Sequence, residues 1–405
     1  MRTSGINLCV KCVFYDYAGI LKMKTSEEVE AKIARYRKFL QQDPSNLALA
    51  TDLVDLLCNA GFFEQALACL EDFPDDLQNA VALRTKKAEV LLGSRNFISA
   101  KNYIEQLLNY DAALKQDATL LHFLGLSEYF LGEYESALDS FSKATDSDVP
   151  NSNNWKFLAY THHQLNHLNE ALSAAKKWIE IEPSADSYAY LAVVHFDSEE
   201  RELAKVTALK ALEMDATQSD ALTVLGTLAV ESNNLAVAVS SINQAISANA
   251  KNGRAWLAQG LILMSQVQTQ SAILSLEEAN RLMPTHVGTL ISLGWAKVKC
   301  DDLKGAKLCF ETAISIDRNF AESYGALACV FAMQANFKEA ETNILLAKKL
   351  NPRNFAGNYA RSIIFVSEGK QDQADALIEQ LMLQKLPNTT SVLGDHLRNF
   401  LITSK

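Results

Sequence analysis

Three histidines fall within six residues, His162, His163 and His167 in Thr-His-His-Gln-Leu-Asn-His, and His122, Tyr129, Phe130, Lys156 and Tyr160 lie upstream of or beside them. Imidazoles four apart on one helix face can share a metal ion. Here His167 falls in a turn, and no cysteine or carboxylate stands nearby to complete a shell. The cluster of His122, Tyr129, Tyr160 and His163 therefore offers at most a small-ligand or metal carrier, and no cofactor is expected.

The seven cysteines, at 9, 12, 58, 69, 300, 309 and 329, are too thinly spread for a disulfide framework and suit reduced thiols. Cys9 and Cys12 make a lone CxxC, a weak signal without a second pair. Cys58 with Cys69, and Cys300 with Cys309, occupy comparable places near helix ends, where a thiol serves as a small hydrophobe. No phosphate-binding glycine loop, HExxH or GxSxG occurs, and acidic residues are interspersed with basic ones instead of forming an isolated carboxylate pair. An enzyme is not expected.

The elements that would position these groups are helices. The chain of 405 residues is 48% hydrophobic and 21% charged, so it can bury a large core. Seven prolines and sixteen glycines are too few for an all-β protein with a turn every ten residues. A formal charge of -10 disfavours nucleic acid and anionic lipid. No stretch of eighteen apolar residues would span a membrane, and Lys11 and Asp16 interrupt the apolar leader before a secretory core forms. These features suggest a cytoplasmic protein, with residues 1–24 a poorly ordered leader.

Slid against itself, the chain repeats. Units beginning at Leu47, Val81, Ala118, Ser152, Ala185, Ser219, Gly253, Val287, Ala321 and Phe355 place alanine at every twentieth position: Ala66, Ala100, Ala137, Ala171, Ala204, Ala238, Ala272, Ala306, Ala340 and Ala374. The eighth position is small in nine of the ten units, as in Gly125, Ala159, Gly226, Gly260, Gly294 and Ala328. Apolar residues at positions 4, 7, 8 and 11 draw one stripe, and those at 20, 24 and 27 draw another, so each unit reads as two helices. Gly61, Gly132, Gly369 and Asn233 lie in the turn between them, and Pro183, Pro284 and Pro352 stop the second helix.

These units resemble the tetratricopeptide repeat, best at Ala321 onward (Tyr324, Leu327, Ala328, Phe331, Ala340, Ile344, Ala347, Pro352) and at Ala118 onward (Leu124, Gly125, Gly132, Tyr134, Ala137, Phe141, Ala144). Gln259 departs from the apolar seventh position, and Phe73, Leu107, Trp178 and Leu381 depart at the twenty-seventh, where splayed packing is expected. The resemblance implies an all-α, right-handed superhelical solenoid of about ten helix-turn-helix units over residues 47–388. A capping helix is expected at 25–46, carrying Val29, Ile33, Tyr36 and Leu40, and another at 389–405.

The resemblance also implies that positions 2, 5, 9, 12 and 13 line a concave groove. In units seven to ten these include Leu257, Leu261, Met264, Ile291, Trp295, Val298, Met333, Tyr359 and Ile363, with Cys329 and Val366. In units three and four they are His122, Tyr129, Phe130, Lys156, Tyr160 and His163. The first set suggests an apolar trough for a partner's peptide or amphipathic helix, which makes the expected function a non-enzymatic scaffold. The family's carboxylate clamp is not matched, since only Lys156 and Arg254 are basic at groove positions, three units apart.

Overall fold

The computed structural model describes residues 26–147 and 151–383. The leader, Cys9 and Cys12, and the helix expected at 389–405 lie outside them. The described residues form 22 helices and no strand. They divide into two compact units, one ending at Ser187 and the other beginning at Tyr188.

In the first unit α1 (Ser26–Gln42) lays Ile33 and Leu40 into the core beside α2 (Leu47–Asn59) and α3 (Phe63–Asp72). A single turn, α4 (Asp75–Gln78), follows. Then come α5 (Val81–Gly93) and α6 (Phe97–Tyr110), α7 (Ala118–Leu131) and α8 (Tyr134–Thr145), and α9 (Ser152–Gln164) and α10 (Leu168–Ile181). The second unit is built from α11 (Ala185–Asp197) and α12 (Arg201–Met214), α13 (Ser219–Glu231) and α14 (Leu235–Ala248), and α15 (Gly253–Ser265) and α16 (Thr269–Leu282). It continues through α17 (Val287–Lys299) and α18 (Leu303–Ile316), α19 (Ala321–Met333) and α20 (Phe337–Leu350), and α21 (Phe355–Ser367) and α22 (Gln371–Met382).

The first helix of each pair starts on the first residue of a sequence unit. In six of the ten units the residue just before the unit supplies the cap three residues ahead: Asn252 accepts from the Ala255 amide, and Asn46, Asp117, Gln218, His286 and Asn354 do the same for their helices. Position 15 closes every hairpin with a left-handed residue. Gly61, Gly132 and Gly369 do so without cost, and Asn233 cheaply, but Val267 is forced to φ 62°.

Within each hairpin the eighth residue faces the twenty-fourth. A methyl group added to Gly125 would fall 2.7 Å from the Phe141 ring, and one added to Gly294 would fall 2.2 Å from Phe310. Both phenylalanines oppose glycine; where the eighth residue is alanine, as in Ala88 and Ala328, the partner is no larger than Ile104 or Ile344. The twentieth-position alanines are buried throughout, because a larger side chain there would push the two helices apart.

The position-27 departures have different outcomes. In the first hairpin α3 stops at Asp72, and Pro74 starts the short α4, which buries Leu77. Leu107, Trp178 and Leu381 are instead buried on helices that keep their length, so the expected splaying is confined to the first hairpin. Gln259 is accommodated by polar neighbours: Ser275 Oγ donates to its Oε1 at 2.9 Å and its Nε2 donates to Asn243 Oδ1 at 3.2 Å.

Candidate functional site

In the first unit the histidine and aromatic residues form packed interior. Ten consecutive residues of α7, Leu120 to Tyr129, are buried, so the helix is enclosed on all sides. His122 lies among Phe141 and Phe157, with ring centroids 5.6 and 5.7 Å away. Burial pushes its pKa down to about 4, so at neutral pH it is an uncharged core side chain. Tyr129 is buried, and its phenol is raised by desolvation while its oxygen accepts from Gln164 Nε2 at 3.4 Å. Phe130 stacks on Phe97 at 4.9 Å. The Lys156 ammonium sits 5.9 Å from the Tyr160 ring and 5.2 Å from the Trp178 ring, and both rings are buried.

His163 is buried, and His167 stands at the head of α10 with its ring 5.8 Å from that of His162. Among the described residues no group of three or more His, Cys, Asp or Glu could hold a metal. The side chains expected to form a ligand-binding cluster, His122, Tyr129, Tyr160 and His163, are all buried; His122 and Tyr129 pack on Phe157, and Tyr160 packs on Phe157 and Trp178. Of the thiols, Cys309 and Cys329 are buried, Cys58 and Cys69 partly so, and Cys300 is exposed at the end of α17.

In the second unit the expected trough resolves into two layers. Met264 and Ile291 belong to the core, together with Cys329. Trp295 is half-buried, set edge-on to Phe310 at 5.8 Å and tilted against Tyr359 at 6.4 Å. The indole from α17 and the phenol from α21 meet this way because the intervening α19 offers only Gly325 and Cys329 at the equivalent positions. Leu257, Val298 and Ile363 are half-buried beside them. Leu261, Met333 and Val366 stay open, at 43%, 37% and 52% exposure.

Polar links between first helices were not anticipated. Asn252 caps α15 with its oxygen while its Nδ2 donates back to Ser219 Oγ, Asp220 Oδ1 and Thr223 Oγ1 of α13. Arg254 pairs with Asp197 of α11 at 2.8 Å. The polar residue at position 34 was visible in sequence, but its second partner on the preceding helix was not.

Comparison with known proteins agrees with this geometry. Residues 223–285 and 287–320 each match a sequence profile of the tetratricopeptide repeat. The chain is a tetratricopeptide repeat protein. Human protein O-mannosyl-transferase TMTC3 is 26% identical over 222 residues, which is 53% of this chain and 24% of that protein. TPR repeat-containing protein MJ1428 of Methanocaldococcus jannaschii is 25% identical over 235 residues, 53% of this chain and 41% of that one. The chain thus spans less than half the length of the curated relatives it matches. Among solved structures, the human IFIT1 dimer with m7Gppp-AAAA superposes with TM-score 0.52 at 15% identity, covering 88% of this chain and 95% of that one. A tetratricopeptide repeat protein from Parabacteroides merdae gives 0.50 at 16% identity, covering 61% and 97%. These structural likenesses concern the fold. Tetratricopeptide repeats support a protein-interaction scaffold in general, and no described helix is long and apolar enough to cross a membrane.

Proposed function

We propose that the protein is a non-enzymatic scaffold that holds an apolar peptide or amphipathic helix of a partner protein against the face made by α15, α17, α19 and α21. The observation that carries this reading is that Leu261, Met333 and Val366 are exposed on the first helices α15, α19 and α21, while Trp295 of α17 and Tyr359 of α21 meet half-buried. Aromatic rings seated in a pocket with adaptable methionine and aliphatic rims are the composition of binding hot spots. Leu274, Leu308 and Leu345 on the second helices are also exposed, and fit the ordinary scatter of surface leucines.

The human relative is named for a transferase, yet this chain spans only 24% of it, and its own residues supply no acid-base pair or nucleophile motif. A small-ligand or metal carrier gains no support from the packed interior around His122. The test is recovery of partners from the native host with wild-type protein and with Val366→Glu. A charge at this open position should abolish recovery of the main partner without unfolding the chain. Undiminished recovery would refute the proposal.

A further inference from the structure

A residue that caps a first helix can also meet the second residue of the first helix before it. Asn252, capping α15, donates from Nδ2 to Asp220 of α13, and Asn354, capping α21, donates in the same way to Glu322 of α19. An amide suits that place because it accepts from its own helix and donates to an acid on the neighbour. The junction between α15 and α17 has the same register and different residues. His286 is the cap, and Arg254 stands where the acids stand.

His286 Nδ1 accepts at 3.1 Å from the Thr289 amide, which also reaches the His286 carbonyl. A backbone amide can only donate, so Nδ1 carries a lone pair and the proton of the neutral ring sits on Nε2. The Thr289 hydroxyl lies 2.8 Å from the same nitrogen, and Thr289 is fully buried. A second proton must go to Nδ1, where it meets the amide hydrogen head-on. The charged ring can keep the hydroxyl, as an acceptor, only by giving up the amide. Two positive influences act in the same direction: the N-terminal end of α17 disfavours a cation, and Arg254 already places one beside the ring. Asp197 of α11 opposes them, but its carboxylate is engaged by Arg254 at 2.8 Å. On the remaining helices around α17 the charges are committed elsewhere. Glu278 and Arg281 of α16 pair with each other, as do Lys307 and Glu311 of α18, Glu322 of α19 accepts from Asn354, and Lys297 and Lys299 lie at the far end of α17 itself.

We propose that His286 is a pH-sensitive clasp at the head of α17, closed while Nδ1 is unprotonated and released as the ring takes a second proton. The direction follows from the bonding, since the amide can be held only by the neutral ring. Burial, and after it the Arg254 charge, push the pKa from 6.5 down to about 4. A histidine lowered on docking contributes its full stabilisation above the undocked value and loses it as pH falls towards the docked one, so the clasp weakens from about pH 6.5 downward. Because α17 carries Ile291 and Trp295, acid would loosen the trough too; that consequence rests on the scaffold reading, whereas the clasp itself does not.

The test is hydrogen exchange of the full chain, free of partner, at pH 7 and pH 5, with rates corrected for their intrinsic pH dependence. Opening of the first turns of α17 should rise on the order of 20-fold at the lower pH, relative to α13, whose Gln218 cap does not titrate. His286→Asn, which installs the cap found at Asn46, Asn252 and Asn354, should keep the protection at pH 7 and flatten the rise. A flat wild-type profile, or an equal rise in the variant, would overturn the clasp. Should the variant fail to fold, the wild-type ring can be titrated by nitrogen NMR: an unprotonated Nδ1 at pH 7 with a midpoint below 6.5 supports the proposal, and a protonated Nδ1 or a midpoint at or above 6.5 overturns it. With no partner present, a failed clasp leaves the scaffold reading standing, and the reverse.

Discussion

Replacing Gly294 by alanine sets two opposing effects against each other. In an exposed helix interior the change stabilises by about 0.5–1 kcal/mol, because glycine has more backbone freedom to lose. Here the new methyl would lie 2.2 Å from Phe310 Cε1 and 2.6 Å from Cζ, and Phe310 is fully buried, so the ring must retreat by roughly an ångström into packed surroundings. Overpacking of this kind costs about 1–3 kcal/mol, which leaves a net loss of about 1–2 kcal/mol.

The protein's own pairs suggest the cure. Ala88 faces Ile104 and Ala328 faces Ile344, so Phe310→Ile should make room for the methyl. Alone, Phe310→Ile leaves a cavity and destabilises by about 1–2 kcal/mol. Together the two changes should be at least about 1 kcal/mol less damaging than their sum. Repeat arrays can unfold in stages, so exchange protection of α17 and α18 is the fitting assay. Strict additivity, or a stabilising Gly294→Ala, would refute the claim that these two positions set the helix spacing.

Other consequences are open to measurement. Val267→Gly relieves a β-branched residue at φ 62° and 50% exposure, and should raise the denaturation midpoint by about 1 kcal/mol equivalent. Unchanged or lower stability would show that the turn is not strained. His122, held near 4 against an unfolded value of 6.5, stays neutral when folded, so stability should fall as pH drops through that interval, by about 2 kcal/mol between pH 7 and 5. Urea titrations of His122→Leu at the two pH values should show that slope reduced; an equal slope would place the acid sensitivity elsewhere. Asn252→Ala removes a cap and three cross-helix bonds and should cost about 2–3 kcal/mol, against about 1 kcal/mol for Asn46→Ala, where no such cross-helix bonds form. Equal losses in thermal or urea unfolding would mean that the links to Ser219, Asp220 and Thr223 contribute nothing.

The hairpins were readable because their determinants are local. Alanine at the twentieth position, a small residue at the eighth and a stop near the thirty-second place helix ends on units that start at Leu47, Val81 and so on to Phe355. Groove positions transferred from the family pattern served less well. His122, Tyr129, Tyr160 and His163 occupy nominal groove places yet are buried, since Phe123, Phe141, Phe157 and Trp178 supply enough bulk to cover them. The unbroken apolar run from Leu120 to Leu126 carried that message, except for His122 within it. Met264 and Ile291 sank into the core because a neighbouring first helix reaches positions 12 and 5. The links from Glu322 to Asn354 and to the Ala356 amide were not legible, because the donors lie thirty-two and thirty-four residues away.

The scaffold reading is tested most directly by placing a photo-crosslinking amino acid at Val366, on the open trough, and separately at Leu274, exposed on the second helix α16. Irradiated in the native host, the Val366 site should yield one recurrent protein adduct that the Leu274 site does not. Adducts confined to Leu274, or none at Val366 in a folded chain, would contradict it.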